Sequence, residues 1–174
     1  MRTTATALAV ALAFVAGCQS MPAEMPRATA QLQSTTGNKT LGEATFEELG
    51  GGKVRLVAQL INLKPKQEHG FHIHEAGDCS SGDGMSAKGH FNPFGKPHGP
   101  PGSMERHAGD LPSLKSDAKG RARLDVEVDA ITVAHGPGNI IGRGLIVHAL
   151  PDDHKTQPTG NAGARLACAV IHGG

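Results

Sequence analysis

The sequence predicts an all-β domain, an antiparallel sandwich or barrel interrupted by long loops. About seven or eight short stretches alternate apolar and polar residues with the two-residue period of a half-buried strand. Between them, 24 Gly and 11 Pro among 174 residues supply the turns. No internal repeat, heptad pattern or amphipathic helix of any length competes with that reading. The length suits one domain, and with aromatics at 3% and neither Trp nor Tyr, the core must come from Val, Ile, Leu, Ala and a few Phe.

The chain opens on a targeting segment rather than on fold. Arg2 precedes a short apolar run, residues 7–16, which ends Val15-Ala16-Gly17-Cys18. The run is too short to persist as a membrane-spanning helix. Its end resembles a bacterial lipobox, which implies cleavage before Cys18, lipid attachment to Cys18 and residence in the cell envelope or periplasm. Gln19 after the Cys resembles outer-membrane sorting. Residues 1–17 are then a signal peptide, 18–27 a flexible tether and 28–174 the folded domain. Removing residues 1–17 deletes one base (Arg2) and no acid, so 17 Lys plus Arg become 16 against 16 Asp plus Glu. Nothing in such a neutral chain suggests nucleic-acid binding. Of the three Cys, Cys79 and Cys168 remain after Cys18, one pair in an exported and oxidising compartment, so a disulfide is expected.

Residues 28–35 read as a first strand, and 41–49 and 53–63 as a hairpin turning at Gly50-Gly51-Gly52. In the second arm Val54, Leu56, Ala58 and Leu60 share one face. Residues 69–75 form the next strand, 121–129 another with Ala122, Leu124, Val126 and Val128 facing in, and 144–150 and 165–172 the last two. Residues 76–119 show little periodicity. So long an irregular segment within a domain is functional or disordered, and the chemistry it carries favours function. A second loop covers residues 151–164.

Function is concentrated in the strand at 69–75. His72 and His74 are two apart and aim two imidazoles at one point, while Phe71 and Ile73 face the core. Converging imidazoles suit copper or zinc. The long loop adds His90, His98, His107 and Asp110, and a later strand adds His148. Scattered histidines are usually satisfied polar groups, but six with an acid in this concentration point to a metal site. His69, His135, His154 and His172 carry no such role, and His69 faces away from His72 and His74.

Several fragments, each weak alone, are highly specific in their joint order. They are Gly70-Phe71-His72-Ile73-His74-Glu75-Ala76-Gly77-Asp78, His90-Phe91-Asn92-Pro93, Lys96-Pro97-His98-Gly99, Glu105-Arg106-His107-Ala108-Gly109-Asp110, Gly142-Arg143-Gly144-Leu145-Ile146-Val147-His148 and Gly160-Asn161-Ala162-Gly163-Ala164-Arg165-Leu166-Ala167-Cys168. From about residue 28 to the end the chain resembles the copper–zinc superoxide dismutases, of a bacterial exported kind. The resemblance implies a Greek-key sandwich or flattened barrel with two long functional loops. It implies copper held by His72, His74, His90 and His148, and zinc held by His90, His98, His107 and Asp110, with His90 bridging. Four imidazoles suit redox-cycling copper, and a closed three-His, one-Asp shell suits a structural zinc.

The same resemblance implies dismutation of superoxide to dioxygen and hydrogen peroxide in two half-reactions, with His90 both ligand and proton relay. It makes Asp152 the carboxylate that orients His72 and His98, Arg165 the cation that draws in superoxide, and Thr159 the other wall of the channel. Cys79 and Cys168 become the intrasubunit disulfide, and a homodimer the expected assembly, with a monomer as the alternative. The loop after His148 and the Gly99-Pro100-Pro101-Gly102 turn depart from eukaryotic members, which bears on steering and on the path of the zinc loop. A non-catalytic copper or zinc buffer, or a copper-delivery module on the same fold, is the alternative reading. Such relatives tend to lack part of the copper set, which here is whole. An immunoglobulin-like adhesion module would leave the clustered His unexplained.

Overall fold

In the computed structural model, residues 25–174 are described; the segment expected to be a signal peptide, Cys18 and most of the expected tether lie outside them. Nine strands follow one another: β1 (Arg27–Ser34), β2 (Leu41–Gly50), β3 (Lys53–Ile61), β4 (Glu68–His69), β5 (Phe71–His74), β6 (Leu114–Lys115), β7 (Ala122–Val128), β8 (Gly144–His148) and β9 (Arg165–Gly173). Seven of them form one antiparallel sheet in the order β5-β8-β9-β1-β2-β3-β7, and β4 pairs with β6. Side chains from both ends of that order meet in a single core: Phe71 and Ile73 of β5 and Leu145 and Val147 of β8 with Val54 and Leu56 of β3 and Ala122 of β7. The sheet therefore curls over on itself, as the predicted barrel requires.

The expected strands form within a residue or two of their predicted ends, with two differences. The strand expected over 69–75 breaks at Gly70, where a Cβ would lie 2.8 Å from the Cβ of Ala162. His69 then pairs in β4 and Phe71–His74 in β5. On β7, Ala122 is buried, but Leu124, Val126 and Val128 are only half-buried, because this strand is the free edge of the sheet. One short 3-10 turn, Met85–Ala87, punctuates the long loop.

The sheet hides both faces where β5 meets β8. Phe71, Ile73, Leu145 and Val147 fill the barrel, so the alternate residues His72, His74, Ile146 and His148 face outward. All of these outward residues are nevertheless buried, because the long loop folds back over them. Ile146 packs there with Ala87 and Cys168, beside Cys79.

Candidate metal centre

The loop over residues 76–119 is held to β5 by backbone. Ile73 N donates to Gly109 O at 3.0 Å, Phe91 N to Ile73 O at 2.8 Å and Gly109 N to Phe91 O at 2.9 Å. His72 lies across a backbone bridge from Asp110, and His74 across one from His90. Gly109 permits this approach, since a Cβ there would fall 2.2 Å from Ile73 O. A loop irregular in sequence thus behaves as two extra strands, which deliver His90 and Asp110 to the outward imidazoles of β5. The Cys79–Cys168 disulfide, spanning 89 residues, ties the near end of the loop to β9. Arg143 secures the far side: it donates to Glu75 O at 2.7 Å and lies 4.6 Å above the Phe91 ring.

Every sequence-predicted ligand arrives in one of two sets. His72, His74, His90 and His148 form one; His90, His98, His107 and Asp110 form the other; within each, the ligand atoms lie within 4.8 Å of one another. All seven residues are buried. In the second set the Nδ1 atoms of His90 and His107 stand 3.4 Å apart, His107 Nδ1 is 3.3 Å from Asp110, and His98 Nδ1 is 3.1 Å from it. A tetrahedron with zinc–nitrogen bonds of about 2.0–2.1 Å has edges of roughly 3.3–3.4 Å, and the spacings here run from 2.8 to 3.4 Å, close to a zinc cage and slightly contracted at Asp110. In the first set the Nε2 atoms of His74 and His148 face each other at 3.4 Å. His72 Nδ1, His90 Nε2 and His98 Nδ1 are buried without a hydrogen-bond partner. Such orphaned buried nitrogens are costly unless something else engages them. His90 belongs to both sets, with Nδ1 2.8 Å from Asp110 and Nε2 left for the other side.

The remaining ring nitrogens are fixed by the protein, which leaves the opposite nitrogen of each ring for a metal. His74 Nδ1 pairs with Lys88 O at 2.8 Å and His148 Nδ1 with Gly163 O at 3.1 Å. Asp152 takes His72 Nε2 at 2.7 Å on one oxygen and His98 Nε2 at 2.9 Å on the other. One carboxylate therefore spans both sets. Its own position depends on Gly160, whose missing Cβ would sit 1.9 Å from the Asp152 oxygen.

Electrostatics favour ligand forms in the first set and at the carboxylates. Burial pushes His90 down to about 4 and His148 down to about 3, and lowers His72 and His74 as well, so these imidazoles stay neutral. Burial would raise Asp110 and Asp152, but hydrogen bonds outweigh it: His107, His90 and His98 act on Asp110, and His72 and His98 on Asp152. Both carboxyls end well below the usual range. Burial opposes a charge on His98 too, yet the Asp110 and Asp152 carboxylates raise it to about 9, so His98 has to shed a proton when a metal enters. Neutral imidazoles and ionised carboxylates are what copper and zinc bind.

Arg165, opposite His148 in the β8–β9 register, points its guanidinium at the loop: Nη1 to Gly84 O at 2.6 Å and Nη2 to Lys88 O at 2.5 Å. Its charge is felt at His74 and His148. Thr159 is half-buried in the turn before Gly160. His69 stays out of both sets, its buried ring paired through Nδ1 with His148 O at 2.9 Å. Sequence reasoning missed Lys88 and Gly84, which act through backbone carbonyl oxygens, and Gly109 and Gly160, which act by lacking a side chain.

The sequence model described as "Copper/zinc superoxide dismutase (SODC)" matches residues 40–171. The chain belongs to the copper/zinc superoxide dismutase family. It is 42% identical over 149 residues to Superoxide dismutase [Cu-Zn] 2 of Aquifex aeolicus (strain VF5), covering 83% of this chain and 86% of that one. It is 46% identical over 125 residues to Superoxide dismutase [Cu-Zn] of Paramecium bursaria Chlorella virus 1, covering 68% and 66%. Among solved structures it resembles that of the clock protein EA4, with a TM-score of 0.77 and 39% identity over 88% of this chain and 98% of that one. Copper and zinc, the family's metals, are those the two ligand sets fit.

Proposed function

We propose that the chain dismutates superoxide to dioxygen and hydrogen peroxide, with copper in the set of His72, His74, His90 and His148 and a structural zinc in the set of His90, His98, His107 and Asp110. The observation that carries this assignment is the shared ring of His90, the one side chain common to both sets. When bound, copper supplies one-electron redox chemistry and zinc a fixed positive charge. His90 Nε2 would accept a proton in one half of the cycle and release it to the second superoxide in the other, with the second proton of hydrogen peroxide coming from solvent. Asp152 holds the rings of His72 and His98 in orientation. Arg165 attracts the anion, and Thr159 faces it across the channel. A buffering or delivery role is disfavoured by the completeness of the copper set and by Arg165.

Metal analysis of the purified protein, with superoxide consumption measured before and after copper removal, tests this reading. Activity tracking copper supports it; bound copper without turnover supports a buffer. A His90→Ala protein that bound copper and kept full activity would exclude the relay role.

The family resemblance and the leader sequence extend the proposal to an exported lipoprotein anchored through Cys18, working in the periplasm as a homodimer. The Cys79–Cys168 bridge suits an oxidising compartment. Cys18→Ala should move the protein from the membrane to the soluble fraction, and sedimentation of the soluble domain should report its assembly.

A further inference from the structure

We propose that His154, Asp152 and the outer nitrogen of His98 form a loading site through which a divalent ion passes to and from the inner set of His90, His98, His107 and Asp110. The proposal rests on the zinc reading of that inner set. The ligand atoms of His98, Asp152 and His154 lie within 4.8 Å of one another. His154 Nδ1 is 3.5 Å from Asp152 Oδ2 and is buried without a hydrogen-bond partner. Its ring lies nearly parallel to that of His98, 24° between planes and 6.5 Å between centroids. Two imidazole nitrogens and a carboxylate oxygen suit Zn²⁺ or Co²⁺.

Position makes this triad a threshold rather than a second resting place. The side chains of His98 and Asp110 are sealed, whereas that of His154 is 32% exposed. His98 faces both ways, with Nε2 on Asp152 and Nδ1 beside Asp110. An ion met first by His154 is thus one ring away from the inner cage. The backbone holds His154 beside the carboxylate: its φ is 55°, and its N–H donates to Asp152 Oδ1 at 2.7 Å. The His98–Asp152 hydrogen bond closes the outer triad, so an ion is held there only while that bond is open and no additional ion is held at saturation.

The test uses the zinc-loaded protein mixed with excess Co²⁺, with cobalt arrival followed by its visible absorption and final contents by metal analysis. Traffic in either direction crosses the same threshold, so exchange reads it. His154→Asn removes the imidazole but tolerates the positive φ; His154→Gln replaces it if that variant does not fold. The expected result is the same final cobalt content reached about tenfold more slowly, the low end of what losing one supporting group does to a metal site. Equal exchange rates would overturn the proposal. So would a variant that loses inner-site affinity, because His154 would then act only by positioning Asp152. A wild-type protein that holds no zinc in the inner set would instead refute the zinc assignment beneath it.

Discussion

Replacing Gly160 by alanine asks whether one carboxylate ties the two metal sets together. The new Cβ would lie 1.9 Å from Asp152 Oδ1 and 2.6 Å from His98 Nε2, so the carboxylate has to move. The residue also sits at φ +65°, where a side chain costs roughly 1–2 kcal/mol. Overlap in a packed site adds about 1–3 kcal/mol. Together that is about 2–5 kcal/mol, or a melting point lower by roughly 4–20 °C for a chain this long. Displacing Asp152 frees the rings of His72 and His98, and loss of such an orienting partner weakens metal binding by about 10–100-fold. Gly37→Ala is the control, because Gly37 has φ +79° and nothing within 4 Å of its would-be Cβ. It carries the backbone cost alone. Zinc affinity by chelator competition, beside thermal melts of both variants, separates the two effects. If Gly160→Ala bound zinc as tightly as Gly37→Ala, Asp152 would not be the link.

Arg165→Glu should lower the rate per bound copper by about 10–10³-fold at low salt, with Arg165→Lys much nearer wild type, since focusing by charge acts on the encounter rate; equal rates across the three would reject steering. Removing the disulfide with Cys79→Ser and Cys168→Ser opens an 89-residue span and should cost roughly 4–5 kcal/mol, read as the shift in a urea or thermal midpoint. In metal-free protein, His90 and His148 titrate near 4 and 3 because they are buried, while in the unfolded chain they titrate near 6.5. The unfolded chain therefore binds more protons between those values, and stability should fall as pH drops below about 6.5. His98, raised to about 9 by Asp110 and Asp152 against its burial, works the other way: its contribution is complete below about 6.5 and is lost as pH rises through 9. Urea midpoints across that range should peak between the two limits; a flat profile would refute both assignments.

The barrel was legible because its strands are half-buried. Val54, Leu56, Ala58 and Leu60 alternate with solvent-facing residues, so the pattern reads directly. At β5 and β8 both faces are buried, and the pattern vanishes into His-Ile-His and Leu-Ile-Val-His. There the histidines themselves were the signal. The ligands could be assigned because their chemistry lies in side chains. What stayed hidden is carried by backbone: the bonds that turn residues 90–91 and 109–110 into companions of β5, the carbonyls of Gly84 and Lys88, and the room left by Gly109 and Gly160. His154 was passed over because its meaning comes from proximity to His98 and Asp152, which only the folded loop creates.

Lys88 O receives both His74 and Arg165. A single peptide oxygen thus sets the aim of the ring we assign to copper and the location of the charge we assign to drawing in superoxide. Any slackening of the chain at that point loosens both at once, so the orientation of His74 and the place of Arg165 should be lost together rather than one at a time.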